Sequence, residues 1–193
     1  MEVNIKELSG SWDRGFAMDK HSKYSVMTGH NEYGHPIYDT TRTEVGEAVF
    51  QLKYRSDWTQ VQPLAECLYK EAYPLFQKVG FILPMPASNA RERQHVTEIA
   101  EALAKLSSVP CFSELLLKAP GGAPLKDLKT KEEKVKAIGD SFSVSPIITN
   151  DGCWNVLLID DLYHTGASME AACGVLRRYN KVNKIYVASL TWR

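Results

Sequence analysis

The sequence has little to hold it together besides a core. It has four cysteines, Cys67, Cys111, Cys153 and Cys173, and no two stand at CxxC spacing. A zinc ribbon needs paired thiolates, and a disulfide scaffold needs a shorter, denser sequence, so both are excluded. The thiols read as reduced and partly buried. No apolar run is long enough for a membrane helix, and MEVNIKELSGSWDRGF carries no apolar leader. The expectation is a cytoplasmic protein with no membrane partner. Net charge is lacking as well: 23 Lys and Arg stand against 23 Asp and Glu, which argues against direct binding to nucleic-acid backbone. Low-complexity tracts and repeats at solenoid spacing are missing. So are the GxxxxGK[ST] and GxGxxG phosphate signatures.

What is present is a globular composition over 193 residues, enough for one domain with a sizeable core. Residues 1–42 are rich in glycine, histidine, aromatics and polar groups without a clear period, and read as irregular structure or short strands, a hood or hairpin laid over a core. Trp12, Phe16, Tyr24, Tyr33 and Tyr38 would pack that hood or present a surface to a protein partner. His21, His30 and His35 lack the HxH or HxxxH spacing of metal ligands and read as ordinary polar loop residues.

Residues 43–193 form the main domain. Val45, Val49, Leu52 and Lys53 fall at helical spacing, and Val61 to Ala72 continue in a second helix. Val79–Leu83 reads as a buried strand, Arg93–Leu106 as an amphipathic helix, and Pro110–Leu117 as a strand. KAPGGAPLKDLKTKEEKVKA is a Gly/Pro loop turning lysine-rich and ending as a helix near Ile138. Ser141–Val144 is a short strand, DGCWNVLLID a long one, SMEAACGVLRRY a helix and KIYVASL the final strand. Strands alternating with helices predict an α/β fold, a central parallel sheet flanked by helices on both faces.

The most informative stretch is NVLLIDDLYHTGASMEAACGVLRR. A buried strand ends in Asp160 and Asp161, at the sheet edge where α/β folds bind ligands. Thr165, Gly166, Ala167 and Ser168 then turn the chain into a helix, where free N–H groups attract an anion. Gly166 allows close backbone approach, and the Thr165 and Ser168 hydroxyls add donors. Ionised carboxylates suit vicinal hydroxyls, and the turn suits phosphate. Together they point to a phosphorylated sugar. A phospho-receiver domain also gathers acids at a strand end, but on its first strand, whereas only one strand follows Asp161.

VLLIDDLYHTGAS resembles the phosphoribosyl-pyrophosphate (PRPP) motif of the type I phosphoribosyltransferases: four apolar residues, two acids, two variable residues and a [ST]TG[AG][ST]-like turn. The similarity extends to the ComF-like branch. VFQLKYRSDW is similar to that branch's helix ending in LKYRG, ILPMPASNARERQHVTEIAEALA to its PVP strand end and RGFNQ segment, and KTKEEKVKAIGDSFSV to its ERxxNVxGAF stretch. The branch often carries paired N-terminal cysteines for zinc, which this chain lacks. His164 stands where the motif usually has a hydroxyl residue, and Glu92, Gln94 and His95 differ in type from RGFNQ.

The resemblance implies a phosphoribosyltransferase-like domain over 43–193 that binds PRPP with substrate-bridged Mg²⁺ and releases pyrophosphate. It assigns catalytic roles to Asp160 and Asp161, which would hold the ribose hydroxyls, and to Arg91, which would neutralise pyrophosphate. Tyr163, His164, Thr165, Gly166, Ala167 and Ser168 would hold the 5′-phosphate. Pro84, Met85, Pro86, Ala87 and Ser88 would lie near pyrophosphate, and lysines between Lys126 and Lys136 on a loop closing over the site. Relatives commonly form homodimers. The alternative is a PRPP- or nucleotide-sensing module working through a protein partner, in DNA uptake, repair or phage defence.

Overall fold

The computed structural model describes residues 1–87, 92–119 and 141–193. In chain order the strands are β1 (Lys6–Glu7), β2 (Arg14–Lys20), β3 (Ser22–His30), β4 (Pro36–Arg42), β5 (Phe81–Pro84), β6 (Leu116–Lys118), β7 (Phe142–Val144), β8 (Trp154–Tyr163) and β9 (Val182–Trp192). The helices are α1 (Glu44–Arg55), α2 (Val61–Cys67), α3 (His95–Ser107) and α4 (Ala167–Leu176).

A five-stranded sheet of order β1-β2-β9-β8-β5 forms the centre. β2, β9, β8 and β5 run parallel, and β1 is antiparallel at one edge. Beyond β5, Cys111 adds a single parallel bridge to Ile82. The apolar runs in β8 and β9 are continuous because both faces of the sheet are covered. Leu157, Ile159, Tyr186, Ala188 and Leu190 pack with α1, α2 and α3 on one face. Val156, Leu158, Ile185 and Val187 pack with α4 on the other. The expected α/β sandwich is therefore present.

Local sequence explains the helix ends. Thr43 Oγ1 caps α1 by accepting from Gly46 N at 3.0 Å, acids fill the first turn, Lys53 and Arg55 the last, and Ser56 in the left-handed region ends it. The second expected helix is shorter than its apolar pattern, because after Cys67 it widens into a π turn over Leu68–Ala72.

Two stretches differ from the sequence reading. The N-terminal 42 residues are not all a hood: β2 is a full member of the central sheet, parallel to β9, while β3 and β4 form the expected hairpin. Trp12 and Ala17 are core residues, whereas Tyr24, Tyr33 and Tyr38 are exposed. Pro110–Leu117 is also not one strand. A turn at Ser113–Leu115 breaks it after the Cys111 bridge, and β6 pairs with β7 in its own ribbon. The lysine-rich loop and the helix near Ile138 lie outside the described residues. Among the described residues no helix is long and apolar enough to cross a membrane.

Candidate functional site

The order of the strands chooses the place of the site. From β5 the chain passes through α3 to the Cys111 bridge on one side. From β8 it passes through α4 to β9 on the other. Where neighbouring strands send their connections apart, their carboxyl ends leave a crevice, the usual ligand position in open α/β sheets. A cleft of about 300 Å³ lies there, lined by Met85, Pro86 and Ala87 after β5, Gln94, His95 and Val96 at the head of α3, and Asp160 and Asp161 at the end of β8, with Lys53, Lys118 and Ser168.

Asp161 is the most engaged side chain in it. Its Oδ2 accepts from Lys53 Nζ at 2.5 Å and from His95 Nε2 at 2.9 Å. Burial opposes its ionisation, but the His95 hydrogen bond and the Lys53 ammonium outweigh that and hold the carboxyl below the usual carboxylate range. Asp160 goes the other way. Burial first, and then the charge of Asp161, push it above that range, although its Oδ1 accepts from Asp161 N at 2.8 Å. Two adjacent acids therefore differ in character, one held ionised and one favouring its proton.

The turn after β8 makes a smaller recess of about 110 Å³, bounded by Asp160, Tyr163, His164, Thr165, Gly166 and Ser168 among others. Gly166 begins α4 in the left-handed region, φ 78°, and a β-carbon there would stand 2.7 Å from Tyr163 Oη. Glycine is required on both counts. Tyr163 is fixed in turn by Trp12, edge-on at 6.2 Å between ring centroids, and Trp12 Nε1 donates to Leu8 O at 2.8 Å. Among the described residues the N-cap positions of α4 and α3, Gly166 and Gln94, make no side-chain cap, in contrast to Thr43 on α1, and at α4 only a long contact from Ala167 N to Thr165 Oγ1, 3.4 Å, stands in for one. Two helix N-termini without an N-cap side-chain bond thus meet at the cleft edge, a positive setting for an anion.

The structure gathers Met85, Pro86, Ala87, Asp160, Asp161 and Ser168 around the cleft, and Tyr163, His164, Thr165, Gly166 and Ala167 around the recess. Asp160 and Ser168 border both. Pro84 is buried as the last residue of β5 and lines neither. Ser88 and Arg91 lie outside the described residues, as do Lys126 to Lys136. His21 does lie in a connection, the bend between β2 and β3, but it is buried there, its Nδ1 3.3 Å from Thr191 Oγ1.

Lys53 and His95 were not singled out as site residues. The signal for Lys53 was present: a lysine four residues after Val49, on the buried stripe of α1, needs an acid to face. His95 gave no such signal, since nothing local connects it to β8.

No protein-family model and no curated protein sequence matches the chain. Solved structures do. The adenine phosphoribosyltransferase of Trypanosoma brucei, in complex with AMP, pyrophosphate and ribose-5-phosphate, is similar over 100% of this chain and 76% of its own, with a TM-score of 0.52 and 14% identity. That of Leishmania donovani covers 98% of this chain and 86% of its own, with a TM-score of 0.50 and 12% identity. The glutamine PRPP amidotransferase of B. subtilis, complexed with ADP and GMP, covers 82% of this chain and 34% of its own, with a TM-score of 0.52 and 13% identity. At these identities the likeness is one of fold.

Proposed function

We propose, from the type I phosphoribosyltransferase fold, that this protein binds PRPP and transfers its 5-phosphoribosyl group to a nucleobase or amine, releasing pyrophosphate. The observation that carries the reading is the meeting, at one crevice, of the β8 carboxyls with the glycine turn and the N-terminal end of α4. A phosphate in the recess would take the α4 N–H groups and the Thr165 and Ser168 hydroxyls, placing the sugar hydroxyls towards Asp160 and Asp161. Mg²⁺ would arrive chelated by pyrophosphate oxygens and water, and the carboxyl and hydroxyl oxygens of the site are the hard donor type it accepts. Its chemistry is to neutralise the leaving group. This chain's own part is to hold the phosphate, orient the ribose and keep water from a transition state with oxocarbenium character.

Within the fold the ComF-like branch is the assignment we favour, on LKYR in α1 and the PMP end of β5, and with it a cytoplasmic setting. Calorimetric titration with PRPP and Mg²⁺ tests the core of the reading. Binding is expected, with Gly166→Ala weakening it at least about tenfold, because the β-carbon displaces Tyr163 and strains the turn. A wild-type protein that takes up no PRPP would sink it.

One observation favours a second reading, a PRPP or nucleotide sensor working through a protein partner. The β3–β4 hairpin exposes Tyr24, Val26, Met27, Tyr33, Ile37 and Tyr38, an apolar set suited to a partner surface. Turnover of PRPP with a defined acceptor would exclude sensing as its sole role.

A further inference from the structure

The cleft has a neighbour. A second chamber of about 270 Å³ is lined by Lys53, Ser56, Trp58, Glu92, Arg93 and His95, with Leu52 at its base. Lys53 and His95 line both chambers, so the partition between them is the pair of side chains that hold Asp161. In the second chamber the Arg93 guanidinium lies 4.0 Å from the centre of the Trp58 ring and is forked onto Glu98 at 3.0 and 2.8 Å. The guanidinium stacked on the indole gives the chamber a flat, cationic wall for a planar acceptor.

Hydrogen-bond chemistry at Asp161 settles which ring nitrogen of His95 carries the shared hydrogen. A carboxylate paired with a lysine can only accept, so the hydrogen between it and His95 must sit on Nε2. In the neutral ring Nδ1 is then the nitrogen with the lone pair. A carboxylate behind one ring nitrogen and a lone pair on the other is the arrangement of an oriented general base. Burial adds to it: the His95 and Asp161 side chains are 12% and 9% exposed, so water screens little of the attraction between an imidazolium and the carboxylate. Lys53 draws on the same oxygen and keeps it charged.

We propose that His95 is the acid–base group of this site, held in place by Asp161, and that the acceptor reaches it from the chamber beside Trp58. The assignment rests on the phosphoribosyl reading of the cleft. As the acceptor's lone pair forms a bond to C1 of the ribose, its N–H or O–H proton passes to His95 Nδ1. The bond from C1 to the pyrophosphate oxygen breaks, and its electron pair leaves with pyrophosphate. The imidazolium, stabilised by Asp161, then returns the proton to water. Asp161 acts on the histidine as a positioning residue through Oδ2, while with Asp160 it borders the cleft that takes the sugar.

The test follows pyrophosphate release from PRPP and Mg²⁺ with water and with ammonia as acceptor probes, beside the calorimetric affinity for PRPP. His95→Ala should slow release about 100-fold while PRPP affinity stays within about twofold, and free imidazole should recover at least about tenfold of the loss. Asp161→Asn should slow release too, without rescue by imidazole, because its histidine is present but unheld. Full activity in His95→Ala overturns the assignment. So does a loss of PRPP affinity in step with rate in both His95→Ala and His95→Gln with no rescue, which would make the ring structural. A wild type that binds PRPP but releases no pyrophosphate with either acceptor overturns the assignment and leaves the cleft reading standing. A wild type that does not bind PRPP overturns both.

Discussion

Asp160 and Asp161 are adjacent in sequence and opposite in electrostatic behaviour, and their titrations should separate them. Asp161 is held below the ordinary carboxylate range by His95 and Lys53 against the cost of burial. Its stabilisation is therefore present above the pKa of the unfolded chain, about 4, and is lost as pH falls through the lower folded value. Asp161→Asn leaves Lys53 and His95 facing a neutral amide and should cost about 3 kcal/mol at pH 7, read by urea unfolding, with a flatter loss of stability in acid. Asp160 is raised by burial and by its neighbour. Its contribution is complete below the unfolded value and declines as pH rises through the folded one. Asp160→Asn should thus gain stability relative to wild type between pH 5 and pH 8, while weakening PRPP binding. If its stability relative to wild type stayed constant over that range, the account of Asp160 would be wrong.

At the scale of elements, α1 is a support that happens to carry a site residue. Thr43 caps it and also donates to Lys20 O at 2.6 Å, tying the helix to the end of β2. Thr43→Ala should cost about 1 kcal/mol, visible as a lower Tm, with PRPP affinity unchanged because Lys53 lies in the last turn. β8 and the turn into α4 were legible in sequence because strand, acids, glycine and helix follow one another without interruption, so local rules suffice. The partners of Asp161 were not legible, since Lys53 and His95 lie 108 and 66 residues from it and only tertiary packing unites them. The place of β2 in the central sheet is not legible for a related reason. Its seven residues carry Arg14 and Gly15 at one end and Asp19 and Lys20 at the other, and its apolar middle is decided by burial beside β9.

For the whole molecule, the hairpin and the sheet are separable in kind. Among the described residues β3 and β4 pair only with each other, and a two-stranded ribbon contributes little to a core. Replacing residues 23–41 by a short turn should leave the Tm of the body within a few degrees and PRPP affinity within about twofold, while removing any self-association seen by sedimentation. Loss of the fold on that deletion would show instead that the hairpin supports β2.

The place of β9 has a consequence for biosynthesis. It sits between β2 and β8, so the strand formed early and the strand that bears the acids meet only across the one that leaves the ribosome last of the three. Until then β2 has β1 alone, and the Met18 and Ala17 side chains wait beside an unpaired edge. Such long-range closure is slow and leaves apolar edges open meanwhile. Ligand capability should therefore arrive abruptly, when β9 closes the sheet between β2 and β8, rather than grow with chain length.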